Sequence, residues 1–193
     1  KFLSHIREVD AIIHLIRCFE SDKITHVNSE INPLNDLEII KTEIILSDID
    51  IIEKKLEKGK KKLLKEKDIE TLEKKLQQLN EGKEASIGDE EERKFLSSLG
   101  LLSIKPKIIV CNVDEESLTK GNKFTEMVRK KITQDKIVTI CADIEDQIMG
   151  LDKNERETFM KEIGLEKTGL NQLIKEGYDL LRLDTFFTSG QEE

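Results

Sequence analysis

The sequence predicts an α/β fold: a parallel sheet with crossover helices, interrupted by an inserted α-helical hairpin. Three observations carry that expectation. Two short β-branched runs, KIIVCN and KIVTICA, alternate with helical patterns beyond residue 101, the order that builds a parallel sheet. An Ile-rich run of low charge, AIIHLIRCF, precedes them and reads as a strand covered on both faces. Between these, residues 35–100 change to long helical runs with a dense charge load.

In chain order, residues 1–34 read as a helix end (FLSHIREV), the Ile-rich strand and a polar loop (ESDKITHVNSEINP). The insertion at 35–100 carries two narrow apolar stripes. Ile45, Ile49, Ile52 and Leu56 form one, and Ile69, Leu72, Leu76 and Leu79 the other. Spacings of three and four residues suit two amphipathic helices in an antiparallel coiled-coil hairpin. Gly59 interrupts the first stripe near the expected bend. After residue 101 the strands return, with KFTEMVRKKI and LNQLIKEGYDLLRL as helices between and after them, and Gly164 and Gly169 mark the approach to the second.

Composition narrows the classes of function. A chain of 193 residues is long enough for a sizeable core. No apolar run approaches the roughly 18 residues of a membrane span, so no membrane role is expected. The start, KFLSHIREVD, has no signal-peptide pattern. Cys18, Cys111 and Cys141 each end an apolar run and read as reduced core thiols of a cytoplasmic protein. His5, His14 and His26 share no metal-ligand spacing with them; His14 reads as a core residue. The net charge of −8 argues against general DNA coating, and no specific DNA partner is expected.

That charge is uneven. Residues 53–67 hold eight lysines against three glutamates. The segment is thus +5 and leaves −13 on the remainder. A basic hairpin tip on an acidic body fits RNA phosphates, with Lys58, Lys60, Lys61, Lys62 and Lys65 as contact candidates. No aromatic residue is interleaved there, so contact would be with the backbone and salt-sensitive. A solvated coiled-coil end accounts for the same lysines.

The chain contains no GxxxxGKS/T phosphate loop, no GxSxG elbow and no HExxH pair. Its informative segment is a strand running into a loop, Ile108-Ile109-Val110-Cys111-Asn112-Val113-Asp114-Glu115. Ligand-reading loops lie at the carboxyl ends of parallel strands. An Asn followed three residues later by an acid is the arrangement with which a G domain reads a base. A second strand, Ile137–Ile140, follows and ends in Cys141-Ala142, small residues that let backbone approach a base. Together the two strand ends point to a purine site at Asn112, Val113, Glu115, Cys141 and Ala142.

The stretches KFLSHIREVDAIIHLIRCFE, KITHV, NPLNDLEIIKTEIILSDI, KPKIIVCNVDE, VTICADIE and ERETFMKEIGLEKTGLNQLIKEGYDLLRLDTFFTSG closely resemble the YchF, or Obg-like ATPase, family of translation-factor-related P-loop NTPases. The resemblance covers nearly the whole chain, the helical insertion included. It implies a partial P-loop NTPase (G-domain) sheet, with residues 1–34 its middle part, 35–100 the coiled-coil insertion and 101–183 its C-terminal part. Residues 184–193 would open a small TGS domain. The phosphate loop, the magnesium-binding Thr and the DxAG motif would lie before Lys1, so an internal piece of a longer protein is expected.

The resemblance further implies hydrolysis of ATP, and possibly GTP, with Mg²⁺ held by residues outside this chain, and action on the ribosome through its RNA or proteins. Glu115 stands where ordinary G proteins carry the Asp that pairs with guanine; one more methylene moves the carboxylate by roughly 1.5 Å. Guanine pairing is then strained and adenine becomes acceptable. The family lacks the water-orienting glutamine of Ras-like enzymes, and His26 matches the histidine suggested to replace it. Arg17 and Glu20 read as structural ion-pair partners. The expectation is a cytoplasmic purine-nucleotide hydrolase when intact, inactive as this chain alone. A non-enzymatic coiled-coil module that binds the ribosome or protein partners is the alternative.

Overall fold

The computed structural model describes residues 5–21, 31–59 and 64–187. Two compact units share the chain, Lys1–Ile12 with Leu34–Lys105 and Ile13–Pro33 with Pro106–Glu193.

The helical unit contains α1 (Pro33–Gly59), α2 (Glu66–Asn80) and α3 (Glu90–Ser98). Pro33 fills the first helical position, where its missing N–H breaks no helix bond, and α1 ends at Gly59. Both predicted stripes meet in one apolar core. Ile45, Ile52 and Leu56 from α1 join Leu72 and Leu79 from α2, with Ile49, Ile69 and Leu76 packed against them. The third helix was not distinguished in the sequence. Its nine residues, EEERKFLSS, offer only Phe95 and Leu96 to the core, too few to show a period. The Asp89 carboxylate caps it by accepting the Glu92 N–H at 2.8 Å.

Two charges lie inside this unit. Lys75 occupies the buried face of α2 between Leu72 and Leu79, 2% exposed, and its ammonium meets the Glu92 carboxylate at 2.6 Å. Burial pushes the Glu92 carboxyl up, but Lys75 and the Gly88 N–H outweigh it and hold the pKa below the usual glutamate value. Asp48 on α1 is fully buried. It accepts the Leu102 and Ser103 N–H groups at 2.9 and 2.8 Å, with the Arg7 guanidinium at 3.8 Å. Arg7 donates to the Gly100 carbonyl at 2.7 Å and to the Ser47 hydroxyl. Lys105 donates to the Arg7 carbonyl at 3.0 Å and to that of Val9. The segment leading into the first strand and the one leading into the second are thereby fastened to each other and to α1.

The second unit is built on a sheet of β1 (Ile12–Arg17), β2 (Lys107–Asn112) and β3 (Lys136–Ile140), in the order β1-β2-β3. The β2 and β3 strands are parallel, with Ile109 opposite Ile137 and Asn112 opposite Ile140. Four consecutive residues of β2 are buried, as its central place requires. The expectation that the first strand is covered on both faces fails. Ile13 and Leu15 are each 57% exposed while Ile16 is buried, the alternation of an outer strand with one covered face. His14 is half-buried within it.

Beyond the first two strands come α4 (Ser117–Lys120), α5 (Lys123–Lys131), α6 (Ala142–Gly150), α7 (Lys153–Glu162) and α8 (Gly169–Leu181). Ile108, Val110 and Val138 form the core of the sheet, with Ile140 and with Leu173 and Leu180 of α8 packed on it. The α5 crossover between parallel β2 and β3 is the connection the strand–helix alternation predicted. All three cysteines are buried and unbridged. Among the described residues no helix is long and apolar enough to cross a membrane.

Candidate functional site

Because β2 and β3 are parallel and in register, their loops leave the same edge of the sheet. Asn112 closes β2, and its side-chain oxygen accepts the Ala142 N–H at 3.0 Å. The Val113 N–H continues the ladder by donating to the Ile140 carbonyl at 2.8 Å. The five residues singled out in the sequence therefore stand at two adjoining strand ends. Val113 and Cys141 are buried beneath the edge, while Glu115 and Ala142 are exposed on it.

Electrostatics ties the two loops together as well. Burial pushes the Cys141 thiol up, the backbone N–H groups of Ile144 and Asp143 pull it partly back, and the carboxylates of Asp143 and Glu115 add to the rise. At neutral pH the position presents a neutral sulfur. The neighbouring pair behaves differently. A hydrogen bond from the Cys18 thiol lowers the Cys111 pKa, ahead of burial, which raises it, and Arg129, which lowers it further.

Asp114 is committed within its own loop: its carboxylate accepts the Ser117 N–H at 2.9 Å and starts the short α4 turn. Glu115, whose carbonyl accepts the Leu118 N–H at 3.2 Å, is left with its side chain outward. Gly121 follows at φ +71°, a conformation that favours glycine, and turns the chain into Asn122. The side chain of Asn122 joins three elements. Its oxygen accepts the Phe124 and Thr125 N–H groups, each at 3.0 Å, and caps α5. Its nitrogen donates to the Cys18 carbonyl at 2.7 Å and to the Ser117 hydroxyl at 3.0 Å.

On the other side of the edge, α6 begins at Ala142, and Glu145 within it accepts the Gly169 and Leu170 N–H groups at 2.6 and 3.3 Å. This sets the start of α8 against the end of β3. A Cβ at Gly169 would lie 2.6 Å from Ile140 Cγ2, closer than carbon atoms pack. Sequence reading missed Asn122 and Glu145. Only the first left a local trace, a Gly-Asn step before a helical pattern.

Arg17 donates to the Phe19 and Ser21 carbonyls at 3.1 and 3.3 Å and lies over the Phe19 ring. Glu20 pairs with Lys123 at 2.6 Å. In the helical unit, Lys58 in the last turn of α1 and Lys65 just before α2 are exposed. Lys60, Lys61, Lys62 and His26 lie outside the described residues. Among the described residues no three His, Cys, Asp or Glu side chains come together as a metal site.

No family model matches the chain. Curated relatives do. The ribosome-binding ATPase YchF of Bacillus subtilis (strain 168) is 38% identical over 205 residues, covering 100% of this chain and 56% of that protein. The ribosome-binding ATPase YchF of Haemophilus influenzae is 40% identical over 202 residues, covering 100% of this chain and 55% of that protein. Among solved structures, the YchF GTPase of Schizosaccharomyces pombe superposes with a TM-score of 0.85 at 28% identity, over 98% of this chain and 55% of that one. The chain thus spans about half the length of the curated relatives it matches.

Proposed function

We propose, from the homology of the whole chain to the YchF family, that the intact protein binds and hydrolyses a purine nucleoside triphosphate, with ATP accepted as well as GTP, and does so in the cytoplasm on the ribosome. One observation in this chain supports the nucleotide reading most directly. Asn112 bonds the Ala142 N–H across two strand-end loops, at the edge where parallel sheets receive ligands.

In this reading Asn112 braces the second loop and faces the purine. Val113 and Cys141 form the apolar floor, and Ala142 leaves room for the ring. Glu115 reaches the base edge with a carboxylate set one methylene further out than an aspartate's. Asp114, held by the Ser117 N–H, is spent on the turn and leaves base selection to its neighbour. A magnesium ion bound with the triphosphate would neutralise phosphate charge, and no residue of this chain is assigned to it. His26 is the proposed orienter of the attacking water. An imidazole can accept or direct a proton near neutral pH.

Calorimetric titration of the intact protein tests base choice: ATP should bind at least as tightly as GTP, whereas a strong GTP preference sinks the reading of Glu115. The 193 residues alone, with no phosphate loop in their sequence, should show no turnover.

Ribosome contact is proposed for the basic tip, where Lys58 and Lys65 flank Lys60, Lys61 and Lys62. Backbone contacts of this kind release counterions and weaken with salt. Replacing Lys60, Lys61 and Lys62 together by Glu should reduce co-sedimentation with ribosomes at low salt by about tenfold. Unchanged co-sedimentation would mean the lysines only keep a helical end in solution.

A further inference from the structure

Asn122 stands seven residues beyond Glu115, outside any base-reading motif, yet its bonds close the loop that carries that motif. Capping α5 uses only its oxygen, which Ser, Thr or Asp would supply equally well. What those residues lack is an amide nitrogen with two donors. Both known uses of that nitrogen point toward the candidate site: the Cys18 carbonyl at 2.7 Å and the Ser117 hydroxyl at 3.0 Å. The orientation is fixed by the partners, since the oxygen faces two N–H groups and the nitrogen faces a carbonyl.

The same Cys18 backbone also holds the loop's other end. Its N–H donates to the Asn112 carbonyl at 2.7 Å, and its carbonyl accepts from Asn122. One residue at the end of β1 therefore pins both Asn112 and Asn122, and the ten-residue path between them cannot open without breaking one bond. Ser117, buried and gripped by Asn122, fixes Asp114 through its own N–H. The backbone of Glu115 is caught between these anchors.

We propose that Asn122 is a positioning residue for base recognition: through Ser117 and Cys18 it holds the turn from which Glu115 reaches the purine edge. The inference rests on the reading of Asn112–Glu115 and Cys141–Ala142 as a purine site. It adds what selects the orientation of that site.

The test is titration of the intact protein with ATP, GTP and inorganic triphosphate, in wild type, Asn122→Asp, Asn122→Ser and Glu115→Ala. Both Asn122 variants keep a capping oxygen and lose the amide donors, and the serine avoids setting a carboxylate against the Cys18 carbonyl. Each should weaken ATP about tenfold and narrow the ATP-to-GTP ratio while triphosphate binds as before. Combined with Glu115→Ala, Asn122→Asp should cost little more, because the two act through one interaction. A parallel loss of all three ligands means a structural role only and overturns the proposal. So do wild-type ratios in the Asn122 variants when Glu115→Ala has altered them. If Glu115→Ala itself leaves the ratio unchanged, the base-site reading falls and this proposal falls with it.

Discussion

Glu92→Ala is expected to cost the helical unit about 3–5 kcal/mol, the penalty for leaving a buried charge without its partner. Lys75 is 2% exposed, and its ion pair with Glu92 spans 2.6 Å. Removing the carboxylate leaves a positive charge enclosed by Leu72, Leu79 and their neighbours, where water cannot replace the lost partner. Replacing both members, Lys75→Met with Glu92→Leu, should return most of the loss, since apolar residues of similar volume restore packing without desolvating a charge. Urea unfolding followed by the helical circular dichroism signal distinguishes these cases. Equal stability of the single and double variants would show that the pair carries no such penalty.

The same pair sets an acid limit. Glu92 has a folded pKa below the ordinary 4.5. Its contribution is therefore fully present above that value and is lost as the pH falls through the lower folded one. The wild-type unfolding midpoint should fall over that window more steeply than that of the double variant.

Asn112→Ala should weaken ATP binding to the intact protein on the order of 100-fold, roughly 2.7 kcal/mol. Two losses combine. The proposed contact with the purine disappears, and the Ala142 N–H at the start of α6 loses the oxygen that accepts it at 3.0 Å. Asn112→Asp separates them, because it keeps an acceptor for Ala142 while removing the amide donors; an intermediate loss is expected. Inorganic triphosphate, which has no base, should bind all three proteins alike. Wild-type ATP affinity in Asn112→Ala would remove the main support for the purine site.

The two halves of this molecule were legible in the sequence to different depths. The β2 strand announced itself because a central parallel strand has no polar face, so IIVC stands out as an unbroken run, and β3 showed as a second short β-branched run. The stripes on α1 and α2 were visible because their three- and four-residue spacing is a local property of a helix, and they meet in one core. The Asn112–Glu115 stretch stood out because it directly follows a strand, and the structure does end β2 at Asn112. The outer face of β1 misled: Ile13 and Leu15 are apolar yet exposed, and composition carries no record of which face is covered. Lys75 gave no warning, since a lysine between two leucines reads as surface until Glu92, seventeen residues later, is brought beside it. Asn122 showed only as a Gly-Asn step before a helix, and its tie to Cys18, 104 residues earlier, left no trace.

Gly169 has a consequence for how this sequence can drift. With the start of α8 set so close to Ile140 that a Cβ would lie 2.6 Å from its methyl, helix and strand end touch without a side chain between them to absorb change. An insertion or a larger residue there moves Ile140 and, one peptide further, Cys141 and Ala142. Position 169 and the edge of the sheet must then change together or not at all, whereas Gly150 and Gly177, with nothing near their missing Cβ, are free to vary alone.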